Sequence, residues 1–275
     1  MKRLAVGCAM WTHKAWEARL VGQSGERLRG YAEWCTAVEG NTTFYATPSP
    51  ETVASWATQT PEDFRFVLKI PKTVSHGHRL AGGFRELEHF LYAVGPLTAR
   101  IHALWIQLPG SFGPAETTAL SDFLRRLPDA HRLAVEVRHP AFFEHPQILE
   151  EVLAETGAEW IPFDTAAFFS RPPASEAERD AWAKKPRMPL RTRALTDHPI
   201  VRYLGRDDPA RTVEGWQHWV PTVAGWLEEG RSPTVFVHTP DNADAPALAR
   251  RFHDQVRALV PDLEPLPQPA PVALF

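Results

Sequence analysis

Short apolar runs alternate with amphipathic stretches along the chain, a pattern that predicts βαβ units and a parallel sheet. Eight runs read as strands: Leu4–Cys8, Ala37–Asn41, Phe64–Ile70, Ala103–Leu108, Leu133–Arg138, Glu159–Asp164, Ile200–Leu204 and Thr234–His238. Helical spacing of apolar residues covers Glu26–Thr36, Pro50–Gln59 with Ser49 as N-cap, Phe84–Val94, Ala115–Leu127, Pro146–Thr156, Val213–Glu229 and Ala243–Val260. The expected fold is a single α/β domain over residues 1–262, a (β/α)8 TIM-type barrel. Segment Ala166–Pro199 breaks the rhythm between the sixth and seventh strands. Its two proline-rich patches flank a charged, helix-like Ser175–Lys185, and it is expected to be a long loop insertion over the barrel mouth. Residues 263–275, with Pro265, Pro267, Pro269 and Pro271, predict an extended tail.

Side chains along a barrel strand alternate between the helix layer and the interior. Phe66, Leu68 and Ile70 form one apolar face, opposite Arg65, Val67 and Lys69. The same rule turns Leu104, Ile106, Leu108, Val135 and Val137 outward, leaving Trp105, Gln107, Glu136 and Arg138 inward. It turns Val38, Ile161, Phe163, Val201, Tyr203, Val235 and Val237 outward and Glu39, Asn41, Asp164, Arg202 and His238 inward. The polar set falls near the C-terminal ends of the strands, where barrel enzymes build their sites. His76, Arg79, His139 and Asn242 stand on the loops just beyond. The alternative is a plug in which these carboxylates and cations neutralise one another. Against it, each buried ion costs several kcal/mol and a packed apolar interior is often as stable.

With 44% hydrophobic and 23% charged residues among 275 and a net charge of -3, the composition is that of a chain with a sizeable core. It supplies no global attraction to nucleic acid or membrane, so any anion binding must come from a local cluster. Cys8 and Cys35 lack metal-ligand or C-x-x-C spacing and read as reduced core thiols, which fits a cytoplasmic protein. The apolar run after Lys2-Arg3 is too short for a signal h-region and reads as the first strand. No window has the length of a membrane span.

Several stretches carry a resemblance: Trp11-Thr12-His13 with Trp16, Val38-Glu39-Gly40-Asn41-Thr42-Thr43-Phe44-Tyr45, and Phe64-Arg65-Phe66 with Lys69 and Pro71. To these add Ser75-His76, Gln107-Leu108-Pro109, Phe112-Gly113-Pro114, Val135-Glu136-Val137-Arg138-His139-Pro140, and Val237-His238-Thr239-Pro240-Asp241 with Ala245-Pro246. Over nearly its whole length the chain resembles the YecE-like family, the domain of unknown function 72. The His-Thr-Pro-Asp variant is similar to the member for which the family is named, whereas many other members carry Asn at the position of His238. The resemblance implies a barrel with its characteristic residues around one mouth, and it implies no reaction.

Chemically, Lys69, Arg138, Arg202 and Arg206 can hold phosphate oxygens while Glu136 or Asp164 activates a nucleophile. Glu136, Asp164 and His238 are the catalytic candidates. Trp11, Glu39, Asn41, Tyr45, Lys69, His76, Gln107, Arg138, His139, Arg202 and Asn242 are the substrate-binding candidates. The expected ligand is a small anionic molecule or a nucleic-acid fragment. No cofactor is evident. A divalent metal on Glu136, Asp164 and His238 is the competing site chemistry, opposed by the adjacent arginines and by the absence of HxxH, HxH or DxD spacing. Trp11, Trp16, Phe44, Tyr45, Phe112, Phe142 and Phe143 can stack on a base or sugar, or pack as lids on the rim. Gly22-Gln23-Ser24-Gly25 and Gly82-Gly83 read as turns, and no P-loop, Rossmann fingerprint or serine nucleophile elbow is present. A rival, non-catalytic reading rests on the terminal Val272-Ala273-Leu274-Phe275, which vaguely resembles a sliding-clamp peptide, although Gln268 is wrongly spaced and Pro271 intrudes.

Overall fold

The alternation of apolar and polar positions resolves into nine short parallel strands in a computed structural model that describes residues 2–16 and 26–269. They are β1 (Ala5–Cys8), β2 (Ala37–Gly40), β3 (Arg65–Lys69), β4 (Ile101–Gln107), β5 (Leu133–Glu136), β6 (Glu159–Trp160), β7 (Phe163–Asp164), β8 (Ile200–Leu204) and β9 (Thr234–His238). The strand order is β6-β5-β4-β3-β2-β1-β9-β8-β7, so the sheet is open between β6 and β7. The complete eight-stranded barrel expected from the sequence is therefore met in part. The sixth expected strand is divided because Pro162 has no N–H to donate to a ladder. Its first half pairs with β5 and its second with β8.

The sheet is strongly curled, and two ion pairs measure how far. Glu39 on β2 lies 3.0 Å from Arg202 on β8, three strands away in the sheet order, where a flat sheet would separate them by about 14 Å. Glu136 on β5 lies 3.8 Å from the same arginine. Inward-facing side chains from both halves of the sheet thus meet across one interior.

That interior is layered. At the N-terminal ends of the strands, Arg65 donates to the Ser232 and Pro233 carbonyls and to the hydroxyls of Ser232 and Thr234, closing that end. Above it sits an apolar layer of Ala5, Ala37, Val67, Ala103, Trp105, Ala134, Ile161, Ile200 and Phe236, all buried. The polar mouth rests on this layer. Outside the sheet, the alternate set that includes Val38, Phe66, Leu68, Ile106, Val135 and Val237 packs against the helices in one continuous core.

The helices follow the expected pattern, with informative departures. Phe84–Val94 has the expected bounds, and Pro50–Thr58 begins at Ser49, whose hydroxyl accepts from Thr52 N. The single helix expected over Val213–Glu229 is two, Pro209–Gly215 and Trp219–Glu228. Asp208 caps the first through Ala210 N and starts it early. Between the two, the Trp216 indole is held by Gln255 and that of Trp219 by Asp164, so their anchors lie on different neighbours. Short helices Thr42–Tyr45 and Ala141–Glu144 follow β2 and β5 at the mouth. Within the interrupting segment, Ala166–Phe169 and Glu176–Lys184 are helical.

The first part of the proline-rich tail packs back on the domain: Leu263 and Leu266 are buried, and Glu264 N donates to the Lys2 carbonyl. The Gly22-Gln23-Ser24-Gly25 turn and the Val272-Ala273-Leu274-Phe275 terminus, with the sliding-clamp expectation that rests on it, lie outside the described residues. Among the described residues, no helix is long and apolar enough to cross a membrane.

The tightest backbone approach in the sheet is at Gly7 of β1, where an added Cβ would stand 1.9 Å from the Ala37 carbonyl oxygen. Because the obstacle is backbone, Gly7→Ala is expected to destabilise the fold by about 3 kcal/mol in urea denaturation. Gly110→Ala, where nothing lies within 4 Å of the new methyl, should change stability by less than about 0.5 kcal/mol. Equal midpoints for the two variants would contradict this account.

Candidate functional site

The mouth is organised by Glu39. Its carboxylate is fully buried and accepts three partners, each on a separate strand: Lys69 Nζ at 2.9 Å, Arg202 Nε at 3.0 Å and His238 Nε2 at 2.8 Å. Lys69 also donates to Gln107 Oε1 at 2.8 Å. Beneath them, the Trp105 ring presents its face to Lys69 Nζ at 4.2 Å and to the Arg202 guanidinium at 5.5 Å, and Phe163 faces Arg202 at 4.3 Å. Aromatic faces thus replace part of the lost hydration of two buried cations. Glu136 forms a second carboxylate node: its Oε1 takes Nε and Nη2 of Arg138 at 2.9 and 2.8 Å, while its buried Oε2 has no hydrogen-bond partner.

These contacts set the protonation states. Burial opposes the charge on Glu39, yet Arg202, Lys69 and His238 outweigh it and hold the carboxyl well below the usual range. Glu136 is lowered in the same way, with burial overcome by Arg138, Arg202 and Lys69. Burial lowers Lys69 to about 8 against the attraction of Glu39, and it lowers His238 to about 4. At neutral pH His238 is therefore an uncharged imidazole that donates from Nε2 to Glu39.

A cavity of about 730 Å³ opens above this floor. Of the residues expected at the site, Trp11, Glu39, Asn41, Tyr45, Lys69, Gln107, Arg138, Arg202, His238 and Asn242 line it. Asn41 donates to the Ala9 carbonyl at 2.9 Å, fixing the β1 end of the wall. Asn242 adopts φ +56° in a turn in which its Oδ1 accepts from Thr239 N at 3.3 Å. Tyr45 is 70% exposed at the rim, edge-on to Phe44.

Four expected residues are not among the described lining residues. Glu136 lies beneath Arg138. His76 sits on a π-helical turn, Thr73–Gly77, bonded to Ser75 and edge-on to Phe44. The His139 Nδ1 accepts from Ala141 N and stiffens the turn after β5. Asp164 requires a correction. It points away from the mouth, where its Oδ2 accepts from the Trp219 indole at 2.8 Å and meets His218 at 3.1 Å, and its Oδ1 accepts from Ala166 N. On this broken strand Ile161 joins the interior layer and Phe163 faces the arginines, so the apolar parity set is the inward one.

Two further expectations change with Asp164. Glu136, Asp164 and His238 do not converge, and no metal-capable group of three or more His, Cys, Asp or Glu occurs among the described residues. Arg206 is not a free anion clamp. It is buried and bonded to Glu178 at 3.2 and 2.5 Å and to the carbonyls of Phe168, Arg171 and Pro172. Arg79, on the rim, is likewise taken up by Glu116 and Ser111.

The Arg206 and Glu178 pair pins the interrupting segment over the mouth, where Ala177, Asp180, Ala181, Lys184, Lys185 and Pro186 complete the cavity wall. Sequence reasoning missed these residues. The available signal was the Ser175-x-x-Glu178 spacing of a helix start. Ser175 Oγ does accept from Glu178 N, but the glutamate turns to Ala174 N, Asp207 N and Arg206 instead of completing a capping box.

Fold and site together define an α/β protein with a curled parallel sheet and a covered, charge-lined cavity at the C-terminal ends of its strands. The chain belongs to the family described as Protein of unknown function DUF72, whose model matches residues 5–271. It is 39% identical over 265 residues to the UPF0759 protein YecE of Escherichia coli strain K12, covering 95% of this chain and 96% of that one, with the same figures for the protein of Escherichia coli O157:H7. Crystal structures of DUF72 family proteins share the fold. That from Enterococcus faecalis V583 has a TM-score of 0.70 at 18% identity, over 95% of this chain and 98% of that one. That from Thermotoga maritima MSB8 has a TM-score of 0.68 at 20% identity, over 94% and 100%.

Two outcomes follow from the Glu39 node. Glu39→Gln strands Lys69 and Arg202 as buried cations without a carboxylate and is expected to destabilise the protein by about 3–5 kcal/mol in chemical denaturation. A loss below about 1 kcal/mol would refute the node. His238 binds its proton less readily when folded than when unfolded, so its contribution is fully present above about pH 6.5 and is lost as pH falls toward 4. The denaturation midpoint should therefore drop across that window in the wild type and drop less in His238→Asn. Parallel pH profiles would overturn the assignment.

Proposed function

We propose that the protein is an enzyme acting on an anionic, phosphate-bearing or nucleic-acid-derived substrate held in the mouth cavity. The observation that carries this reading is the charge surplus of the site: Lys69, Arg138, Lys184, Lys185 and Arg202 stand against Glu39, Glu136 and Asp180, with His238 neutral. A self-neutralised plug would leave neither a surplus nor a covered cavity. Arg138 is half-buried, and it uses Nε and Nη2 on Glu136 while facing the cavity, so its remaining donors can take a phosphate oxygen. The volume lies within the range of small-molecule sites.

Glu136 is the general base in this reading. Its ionised carboxylate keeps one oxygen without a partner, next to the cations that would orient a phosphoryl group and stabilise charge in the transition state. Lys69, Arg138 and Arg202 bind the anion, and the neutral His238 imidazole is the second proton-transfer candidate. Trp11 and Tyr45 on the rim supply faces for a base or sugar. We also read the curled sheet as a barrel of the (β/α)8 type, supported by the contiguity of its two edges: Ile161 N donates to Val135 of β5, and Arg202 N of β8 donates to Pro162. The two buried, free cysteines support a reducing, cytoplasmic setting.

The test is release of product from p-nitrophenyl phosphate, bis(p-nitrophenyl) phosphate and nucleoside monophosphates, with thermal unfolding run on every variant. Glu136→Gln is expected to lower turnover by about a hundredfold or more while the protein stays folded. Absence of turnover of all three probes by the wild type, or equal turnover by the folded variant, would refute the catalytic reading.

A further inference from the structure

The cations of the mouth are not equivalent. Lys69 and Arg202 share Glu39, Arg138 is bonded to Glu136, and Lys184 pairs with Asp180 one helical turn away. Lys185 lines the same cavity, yet no ion pair joins it to a carboxylate among the described residues. It does not come from the sheet. It is the C-cap of Glu176–Lys184, and its backbone N–H donates to the Ala181 carbonyl at 2.8 Å. Glu178, Ala181 and Lys185 follow helical spacing on one face, and the first two are buried against the domain. The buried Glu178 and Arg206 pair, together with the bond from Met188 N to Thr165 Oγ1 at 3.0 Å, fixes the chain on both sides of Lys185.

We propose that Lys185 is the ligand-pairing cation of this site, closing from above, with Arg138 and Arg202 from below, on the phosphate of a small phosphomonoester. The inference rests on the anionic-substrate reading and adds to it the residue that recognises the anion and the role of the covering segment. Burial, with the positive charges of Arg202 and Arg138 nearby, already lowers Lys185 to about 8, against the attraction of Glu39. An anion seated among these three groups relieves that repulsion and supplies the partner that Lys185 lacks. The segment 166–199 is then part of the binding site, because it contributes the one lining cation not already committed to a protein carboxylate among the described residues.

Isothermal titration with inorganic phosphate and ribose 5-phosphate, with ribose as the uncharged control, tests this on the full-length protein. The wild type is expected to bind both phosphates and not ribose. Lys185→Met should raise their Kd by about tenfold or more, since a hydrogen bond to a charged group is lost. Lys185→Arg should recover most of the affinity. Arg179→Met, which removes a positive charge from the exposed side of the same helix, should leave it unchanged. The ligand-free unfolding midpoint of Lys185→Met should match the wild type, because no ion pair is broken. If the wild type binds phosphate and Lys185→Met binds it equally well, the inference falls and the anionic-substrate reading stands. If the wild type binds neither phosphate, both fall.

Discussion

The buried Glu39 carboxylate is the constraint around which the mouth is arranged. It draws Lys69 from the next strand and Arg202 and His238 from the far side of β1, and it can satisfy all three only because the sheet curls. Each of these ions would be expensive to bury alone. Held together they form a network in which the cations hold the Glu39 carboxyl below its usual range and the carboxylate opposes the loss of charge that burial imposes on Lys69. The network depends on the curl, and the curl is secured by the apolar layer below, where Trp105 lies under Lys69 and Arg202 and its neighbours fill the interior.

A second anchored pair performs the corresponding task above the sheet. Arg206 spends its donors on Glu178 and three carbonyls, none of which is a ligand position. This fixes a long connection that would otherwise lose much conformational entropy on closing over a cavity. Rigidity at the Arg206 staple and openness at the mouth are consistent with each other, because the staple lies outside the cavity wall while Lys184, Lys185 and Pro186 reach into it.

Much of this was legible in strand parity. Where a strand is continuous and its apolar residues face the helices, alternation places Glu39, Lys69, Gln107, Arg138, Arg202 and His238 on the inner side, and the cavity is lined by all six. The rule failed at Glu159–Asp164 for a physical reason. Parity equates apolar with outward, but this interior has an apolar layer of its own, and Ile161 and Phe163 belong to it and to the arginine faces above. Asp164 therefore lies on the side opposite to the one that alternation predicts. Arg206 departs from expectation for another reason: five donors look like an anion clamp until their acceptors are known, and those acceptors come from residues 28 to 38 positions away. The motifs that carry the family resemblance mark the mouth, and none of them falls on the covering helix Glu176–Lys184.

Whether so many ions form a plug or a site turns on stoichiometry. In a plug, each charge ends on a protein partner and the residual volume is small. Here Glu39 meets three partners, Glu136 keeps one oxygen without a hydrogen bond, and the cavity above is large enough for a ligand. An unsatisfied buried carboxylate oxygen beside a half-buried arginine is a costly arrangement for stability alone. In the proposed reading an anionic molecule in the cavity takes the cationic surplus and draws on Arg138, the residue that covers Glu136.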